Sequence, residues 1–313
     1  MLIPEHLGEL LIDPRQHPRG QAHLSAASGL VRLQNRLYVV ADDELHLGVF
    51  DAPETQNPGS VPMPSGQLVR LFEGELPRDK KPRKLAKPDL ETLGALPPLP
   101  GCPFGALLAL GSGSRPSRET GVLMALDAAG ALSGRVAHLD LSGLYTPLRA
   151  LFADLNIEGA FVVSGELRLL QRGNQRDARS ACICFDWNQV APWLAGRQPQ
   201  QQPPKPKAVQ MISLGAVDGV HLSLTDGAAL DHGAWVFCAV AENTPDSFHD
   251  GPCAGSVVGV VEADGNLRRV HQLSGNPKVE GIAVQAAGSQ LVLTLVTDAD
   301  DPAKASQLLR VRM

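Results

Sequence analysis

Three observations predict an all-β fold for this sequence, a β-propeller built of four-stranded blades. One pattern of strands and turns recurs along the 313 residues at a nearly constant interval. The chain contains 31 glycines and 25 prolines, which can supply the many turns that short strands need. Amphipathic helical stretches between the strands are mostly absent, so the pattern disfavours a parallel α/β fold.

The repeat unit begins with a small or acidic residue, often followed by glycine. An apolar strand, a polar turn and a second apolar strand follow, and the second strand ends in polar residues. Five units start near residues 28, 89, 156, 218 and 279, which are 61, 67, 62 and 61 residues apart. One more interval would end 28 residues beyond the C-terminus, and the first unit also starts at residue 28. The residues ahead of the first unit can therefore complete the last one, so the repeat closes as a ring.

The second strand is the clearest element of each unit. It reads RLYVVADDE, GALLALGSGS, ELRLLQRGN, AWVFCAVAEN and QLVLTLVTDADD in turn. Two further strand-like runs follow, such as LHLGVF and QLVRLFEG in the first unit, and four strands are the content of a propeller blade. Five blades are therefore predicted, with six as the alternative because blades can degenerate.

The two ends of the chain are predicted to share one blade. Only three strands remain after residue 279, so the N-terminal run LGELLI would supply the fourth. This pairing would fasten the ring and remove an exposed strand edge. The sequence thus predicts a single propeller domain over residues 1–313.

Four segments interrupt the strand pattern. Helices are predicted at 147–155 and, on a weaker signal, at 190–195. The insert 197–207 is rich in Pro and Gln, which predicts a flexible loop. Segment 77–88 is predicted to be a basic surface loop that is either simply solvated or steers anions to the channel. Its basic residues are Lys80, Lys81, Arg83, Lys84 and Lys87.

Composition and charge exclude several classes of protein. Hydrophobic residues are 43% and charged residues 19% of the chain, which is typical of a globular protein. The net charge of −5 disfavours nucleic acid and anionic membranes as partners. The N-terminal residues lack a signal-peptide pattern, so a cytoplasmic location is expected. The five cysteines have no CxxC spacing, which predicts small core residues instead of disulfides or a zinc site.

Polar residues are predicted to gather at one mouth of the channel, because the first strand of a blade starts where the second one ends. A ring of carboxylates and amides there would suit a hard cation such as Ca²⁺ or Mg²⁺. The predicted metal ligands are Glu91, Glu158, Glu242 and Glu280. The predicted ligand-binding residues are Asp42, Asp43, Asn174, Arg172, Asp218 and Lys278.

A structural explanation competes with each of these assignments. Acidic residues and glycines at strand starts also make turns, and their side chains can bond to nearby backbone N–H groups. Glu158 and Glu280 favour a functional role, because a turn does not require Glu and both stand in the same xEG setting. The run 111–115 (GSGSR) with Arg118 is either an anion cradle or a flexible turn. No GxSxG or HExxH motif occurs, which disfavours serine hydrolases and zinc proteases.

The xEG strand starts and the strand ends LYVVADDE and LVLTLVTDADD resemble the propellers grouped as phytase-like esterases. The likeness to gluconolactonases and strictosidine synthases is more distant. The runs DLNIEGAF, SGL and VEGIAV look more closely like a bacterial propeller family of unknown function. The resemblance implies a metal or polar ligand at the channel mouth and carries over only Glu158 and Glu280. This sequence differs from those enzymes in blade number, since its repeat spacing predicts five blades and they have six.

Two functions follow from the sequence as hypotheses. The first is a metal-assisted hydrolase of a small anionic ester, phosphoester or lactone, in which a divalent ion polarises substrate and activates water. The second is a non-catalytic propeller that binds a small molecule or a protein partner. The dependence on a metal ion distinguishes the two.

Overall fold

The computed structural model describes residues 1–53, 66–196, 202–247, 249 and 251–313. Its strands form five four-stranded antiparallel sheets and one two-stranded hairpin. The innermost strands of the five sheets contact one another around a central axis. The protein is therefore a five-bladed propeller, as the sequence predicts.

The first strand along the chain, β1 (Glu5–Glu9), belongs to the last blade. From the axis outward, the strands of blade 1 are β2 (Ala27–Leu33), β3 (Arg36–Ala41), β4 (His46–Asp51) and β5 (Gln67–Arg70). Those of blade 2 are β6 (Leu90–Leu96), β7 (Ala106–Gly111), β8 (Thr120–Leu126) and β9 (Leu132–Asp140). Those of blade 3 are β10 (Ile157–Val163), β11 (Glu166–Gln171), β12 (Ser180–Asp186) and β13 (Ala208–Ile212).

A hairpin of β14 (Ala216–Val217) and β15 (Val220–His221) precedes blade 4. The strands of blade 4 are β16 (Ser223–Ala229), β17 (Trp235–Glu242), β18 (Cys253–Val261) and β19 (Leu267–Gln272). Those of blade 5 are β20 (Val279–Ala287), β21 (Gln290–Thr297), β22 (Gln307–Arg312) and β1. The helices are α1 (Lys80–Ala86), α2 (Ser142–Arg149) and α3 (Trp187–Leu194).

The ring is closed by the predicted pairing of the chain ends. β1 runs antiparallel to β22, and Glu5 lies opposite Arg310 in the register. The Glu5 carboxylate accepts two hydrogen bonds from the Arg310 guanidinium, at 2.9 and 2.8 Å. The outer edge of β22 is thereby covered, and both ends of the chain are tied into one sheet.

Every inner strand carries a β-bulge near its start. The register against the second strand of the blade shifts by one residue at that point. A bulge bends the strand and re-aims its side chain, and here it turns a polar residue toward the channel mouth in most blades. The bulged residues are Ser28, Glu91, Glu158, Thr225 and Glu280.

Glycines just after the bulges let the inner strands approach one another. A Cβ atom on Gly29 would lie 2.7 Å from the backbone nitrogen of Leu93, and one on Gly281 would lie 3.0 Å from that of Leu30. Neither distance leaves room for a side chain. The recurring xEG pattern therefore combines a carboxylate for the mouth with a glycine for the crowded axis.

Blade 4 replaces this glycine by an acid, Asp226, which has no accessible surface. One carboxylate oxygen accepts the N–H of Gly227 at 2.7 Å, and the other accepts the N–H of Ile282, in blade 5, at 3.0 Å. Burial raises the pKa of Asp226 well above its usual range, although the backbone donors oppose this shift. The acid occupies space beside Gly159 and links the inner strands of blades 4 and 5 near the axis.

The predicted start of the fourth unit at Asp218 is wrong. Asp218 and Gly219 have φ angles of 50° and 80° and form the turn between β14 and β15. An Asp-Gly pair favours this tight hairpin turn, which imitates the start of a unit in sequence. The inner strand begins at Ser223, five residues later, whereas the other four inner strands begin within one residue of the predicted starts.

The helices also differ from the prediction. α2 begins at Ser142, before the predicted range, and contains Pro147 in its interior. The hydroxyl of Thr146 donates to the carbonyl of Ser142 within this helix. α1 occupies the segment predicted to be a basic loop. Of the predicted flexible insert, residues 197–201 lie outside the described residues, and residues 202–206 have no regular secondary structure.

Apolar clusters fill the spaces between adjacent blades. The largest packs strands of blades 2 and 3 together with α2 and α3, and it includes Tyr145, Phe152 and Phe185. Four of the five cysteines are buried, and all five are free thiols. Within the described part of the chain, no helix is long and apolar enough to cross a membrane.

Asp226→Asn should destabilise the ring. An amide has one acceptor oxygen where the carboxylate has two, so one buried backbone N–H loses its acceptor. We expect the free energy of unfolding in urea to fall by about 1–3 kcal/mol. Asp51→Asn, at the exposed end of β4, is the matched control and should change it by less than about 0.5 kcal/mol. Equal stability of the two variants would contradict a structural role for Asp226.

Candidate functional site

A polar pocket opens at one mouth of the channel, where the bulged strand starts meet the ends of the second strands. It is open to solvent, with an empty volume of ≈ 630 Å³. Nine carboxyl groups but only five Lys or Arg side chains line it among the described residues. The acids are Asp42, Asp89, Glu91, Glu158, Glu242, Asp246, Glu280, Asp298 and Asp300. The bases are Lys84, Lys87, Arg118, Arg172 and Lys278.

Arg172, which follows β11, joins carboxylates from three blades. Its Nη1 atom lies 2.8 Å from Glu158 Oε2 and 3.3 Å from Glu280 Oε2, and Nη2 donates to Glu242. All four side chains are buried. We call Arg172, Glu158, Glu242 and Glu280 the arginine cluster. Arg172, predicted to bind a ligand, thus forms direct ion pairs with carboxylates of three blades.

Lys278 supplies the second positive charge on this side of the mouth. Its Nζ atom lies 2.7 Å from Asp300 Oδ1, 3.3 Å from Glu242 Oε1 and 3.5 Å from Glu280 Oε1. The two cations face more carboxylates than they can neutralise. Acid in excess of base at a buried site must be balanced by protons or by an added cation.

The pKa shifts in the arginine cluster follow from burial and from this charge balance. Burial raises the pKa of Glu158 to about 8, despite the opposing effect of Arg172. Burial likewise raises the pKa of Glu280. Burial also acts to raise the pKa of Glu242, but Arg172 and Lys278 together outweigh it and hold that pKa below its usual range.

A second group of acids lies on the blade 1 and blade 2 side of the mouth. One carboxylate oxygen from each of Asp42, Asp89 and Glu91 lies within 4.8 Å of the others. We call these three residues the aspartate cluster. Lys87 donates to Asp42, and its Nζ atom lies 2.8 Å from Asp89 Oδ1.

Within this cluster Asp89 and Glu91 are in different situations. Arg118 Nη1 lies 2.7 Å from Asp89, and the hydroxyl of Ser112 donates to the same carboxylate at 2.5 Å. Glu91, by contrast, has no hydrogen bond and no ion pair within 4.0 Å among the described residues. Burial, followed by the charges of Asp89 and Asp42, raises the pKa of Glu91 well above its usual range.

The basic segment ahead of blade 2 forms part of the site. Arg83 of α1 is buried, and its Nε atom lies 3.2 Å from Asp43 Oδ2. Lys80 donates to the backbone carbonyl of Asp300 at 3.2 Å. Lys87, directly after α1, is buried inside the aspartate cluster. The segment lies against the mouth and is not a solvated loop.

The structure brings most predicted site residues into the pocket. Those that line it are Asp42, Glu91, Glu158, Arg172, Asn174, Glu242, Lys278 and Glu280. Asn174 has a structural contact as well, since its side-chain amide donates to Asp154 at 2.8 Å. Asp43 faces a neighbouring pocket and is paired with Arg19 and Arg83.

Three sequence hypotheses about the site are not realised. Asp218 lies in the β14–β15 turn, outside the residues that line the mouth. The hydroxyl of Ser112 and the guanidinium of Arg118 are turned to Asp89, so run 111–115 does not hold them ready for an anion. The four predicted metal ligands do not form one site, because three of them surround Arg172.

Sequence reasoning missed Asp226, Asp300 and the buried group that joins His17, Arg19 and Glu44. In that group Glu44 Oε1 lies 3.0 Å from His17 Nε2 and 2.5 Å from Arg19 Nη2. Alignment of the fourth unit at Ser223 would have placed Asp226 at the glycine position of the repeat. The other residues lie in loops: His17 and Arg19 between β1 and β2, Glu44 between β3 and β4, and Asp300 between β21 and β22.

A hard divalent cation fits the aspartate cluster better than the arginine cluster. Ca²⁺ takes carboxylate oxygens at about 2.3–2.6 Å, so two of its ligand atoms are at most about 5 Å apart. The aspartate cluster satisfies this limit, since one oxygen from each of its residues lies within 4.8 Å of the others. Glu91 would bring a carboxylate that has no other partner among the described residues. The Lys87 ammonium stands among the same oxygens and would have to move.

A family model matches residues 23–313, nearly the whole chain, and its description is a family of unknown function (DUF6929). The chain belongs to this family. No match was found among the curated proteins. The resemblance to a propeller family of unknown function is thereby confirmed.

The solved structures that are similar to this DUF6929 protein have low sequence identity to it. The luciferin-regenerating enzyme is 12% identical, with 92% of this chain and 76% of that chain covered and a TM-score of 0.41. The PQQ-bound aldose sugar dehydrogenase from Streptomyces coelicolor is 13% identical, with coverages of 99% and 98% and a TM-score of 0.42. The calcium-binding protein regucalcin from Agrobacterium tumefaciens is 11% identical, with coverages of 99% and 90% and a TM-score of 0.38.

Arg172→Met should strongly destabilise the protein, because three buried carboxylates lose their shared counter-ion. The expected loss at about pH 8 is about 3–5 kcal/mol in the free energy of unfolding. Without Arg172 the pKa values of Glu158 and Glu280 rise further above their unfolded values. Acidification to about pH 5.5 protonates these groups and should restore part of the loss. Urea unfolding at both pH values measures this.

Arg179→Met is the matched control. Arg179 also pairs with a carboxylate, Asp177, but its side chain is 48% exposed. An exposed pair contributes less than about 1 kcal/mol, so this variant should show little change and no recovery at low pH. A loss for Arg172→Met that is equally small would contradict the neutralising role of Arg172.

Proposed function

We propose that the channel mouth binds a small polar ligand together with a hard divalent cation. One observation carries the proposal: the mouth has four more carboxyl groups than Lys and Arg side chains among its described lining residues. Burial raises the pKa of Glu91, Glu158, Glu280 and Asp298, so these carboxyl groups hold protons more tightly than exposed ones do. A divalent cation would replace such protons and be attracted by the remaining charge.

The aspartate cluster would hold the ion. Asp42 directly follows β3 of blade 1, Asp89 directly precedes β6 of blade 2, and Glu91 lies in β6, so two adjacent blades bring their oxygens together. The remaining ligands of the ion would be water or the small molecule itself, as is usual for Ca²⁺ and Mg²⁺.

Divalent cations should raise the midpoint of thermal unfolding of EDTA-treated protein. A ligand at 100 times its dissociation constant adds about 2.7 kcal/mol of stability, which for a chain of this length is several degrees. We expect millimolar Ca²⁺, Mg²⁺ or Mn²⁺ to cause this shift and Glu91→Gln to reduce it by more than half. Differential scanning fluorimetry measures both.

Glu73→Gln, an exposed residue in the loop after β5, removes the same charge outside the site and should leave the shift intact. Glu280→Gln changes the arginine cluster and so distinguishes it from the aspartate cluster. This variant should also retain most of the shift in the unfolding midpoint. If no cation shifts the midpoint of the wild-type protein, the cation site is disproved. A shift that Glu91→Gln leaves unchanged would place the ion elsewhere.

A second candidate function is metal-assisted hydrolysis of a small ester, phosphoester or lactone. One observation favours it: Glu158 lines the pocket, and its pKa of about 8 makes it a proton donor at neutral pH. When bound, a divalent ion would polarise the substrate and activate water. Glu158 would deliver a proton to the leaving group, and the closed arginine cluster would hold its carboxyl group in place.

Hydrolysis would be tested with chromogenic phosphoesters, esters and lactones in the presence of Mn²⁺ or Ca²⁺. We expect kcat to fall as the pH rises through about 8, because Glu158 then loses the proton it donates. Glu158→Gln should abolish turnover, and Glu166→Gln, at the start of β11, should not. A metal-dependent activity that is insensitive to Glu158→Gln would contradict this role, and cation binding without any turnover would leave the binding function alone.

A further inference from the structure

We infer that α1 and Lys87 are a built-in competitor for the cation site. In the closed state the Lys87 ammonium occupies the aspartate cluster, and an external cation enters only when this segment is displaced. We call residues 80–87 the strap. This inference rests on the proposed function, because it assumes that the mouth takes up a cation.

The strap lacks the usual sources of helix stability. α1 has seven residues, too few to be stable alone in water. It begins with Lys80 and Lys81, whose charges oppose the helix dipole, and Asp79 makes no side-chain cap. Hydrophobic packing does not hold it either, since Leu85 is 61% exposed.

Contacts with the mouth supply what the helix lacks. Arg83 pairs with Asp43, and Lys87 pairs with Asp42 and Asp89. Arg118, which is bound to Asp89, donates to the backbone carbonyl of Lys84 at 2.9 Å. The strap is thus fastened chiefly by ionic and polar contacts, and two of its partners, Asp42 and Asp89, are the proposed ligands of the ion.

The same oxygens cannot serve both cations at full strength. Lys87 Nζ lies 2.8 Å from Asp89 Oδ1 and also donates to Asp42. A divalent ion on those oxygens would come within a few ångströms of the ammonium and repel it. Binding of the ion therefore breaks the two contacts of Lys87 and loosens the C-terminal end of the strap. Only a cation that interacts with the cluster more strongly than a single ammonium group can displace it.

Lys87→Met tests the competition directly. If the wild-type site is open in about a tenth of the molecules or fewer, removal of the competitor should tighten Ca²⁺ binding by about tenfold or more. Isothermal titration calorimetry with Ca²⁺ measures the dissociation constant of each protein. Lys205→Met removes the same charge at an exposed position outside the residues that line the mouth and should leave the dissociation constant within about twofold of wild type.

The outcomes separate the inference from the proposed function. Tighter binding by Lys87→Met, or binding by this variant alone, supports both. Equal Ca²⁺ affinity of wild type and Lys87→Met overturns the competition but leaves the cation site in place. Absence of Ca²⁺ binding in both proteins overturns the site and the inference together.

Hydrogen exchange of the wild-type protein gives an independent test if Lys87→Met fails to fold. In the closed strap the backbone N–H of Lys87 donates to the carbonyl of Arg83 at 2.9 Å, and that of Arg83 donates to the carbonyl of Asp79 at 3.1 Å. Saturating Ca²⁺ should make a peptide that covers the strap exchange faster, while the strands of blade 3 stay protected. Unchanged or slower exchange of the strap would overturn the inference.

Discussion

The structure depends on one constraint, the crowding of five inner strands around a common axis. Glycines at the closest approaches allow this crowding, and the bulges beside them turn polar side chains toward a single mouth. Carboxylates from separate blades are thereby forced together in a partly buried place. Such a place is unfavourable for like charges, so every other feature of the mouth, from Arg172 to the strap, balances that charge.

The balance is divided unequally between the two sides of the mouth. Arg172 and Lys278 bind the acids of blades 3, 4 and 5 in a closed network, in which each of the three glutamates has a cationic partner. On the side of blades 1 and 2, the cations come from segments outside the sheets, and Glu91 keeps no such partner among the described residues. The first side resembles a structural core, and the second is better suited to exchange its counter-ion.

Asp226 shows that the axis is also a site of specific polar bonding. A buried carboxyl group is costly unless its oxygens accept hydrogen bonds. Here those bonds run to the backbone of its own strand and of the next blade, so the acid fixes how two inner strands meet.

The sequence by itself determined the strand period, the number of blades and the closure by β1, because these follow from patterns that repeat every 61 to 67 residues. It also placed Glu158 and Glu280 at one mouth through their common xEG setting. Only the tertiary structure decided which carboxylates meet Arg172, which remain for a cation, and that a basic segment folds as a strap. These pairings join residues far apart in sequence, and no local propensity encodes the distance between two side chains from different blades. The prediction of a blade start at Asp218 failed for the same reason. The local sequence of this hairpin turn resembles that of a blade start, and only the packing of β16 distinguishes the two.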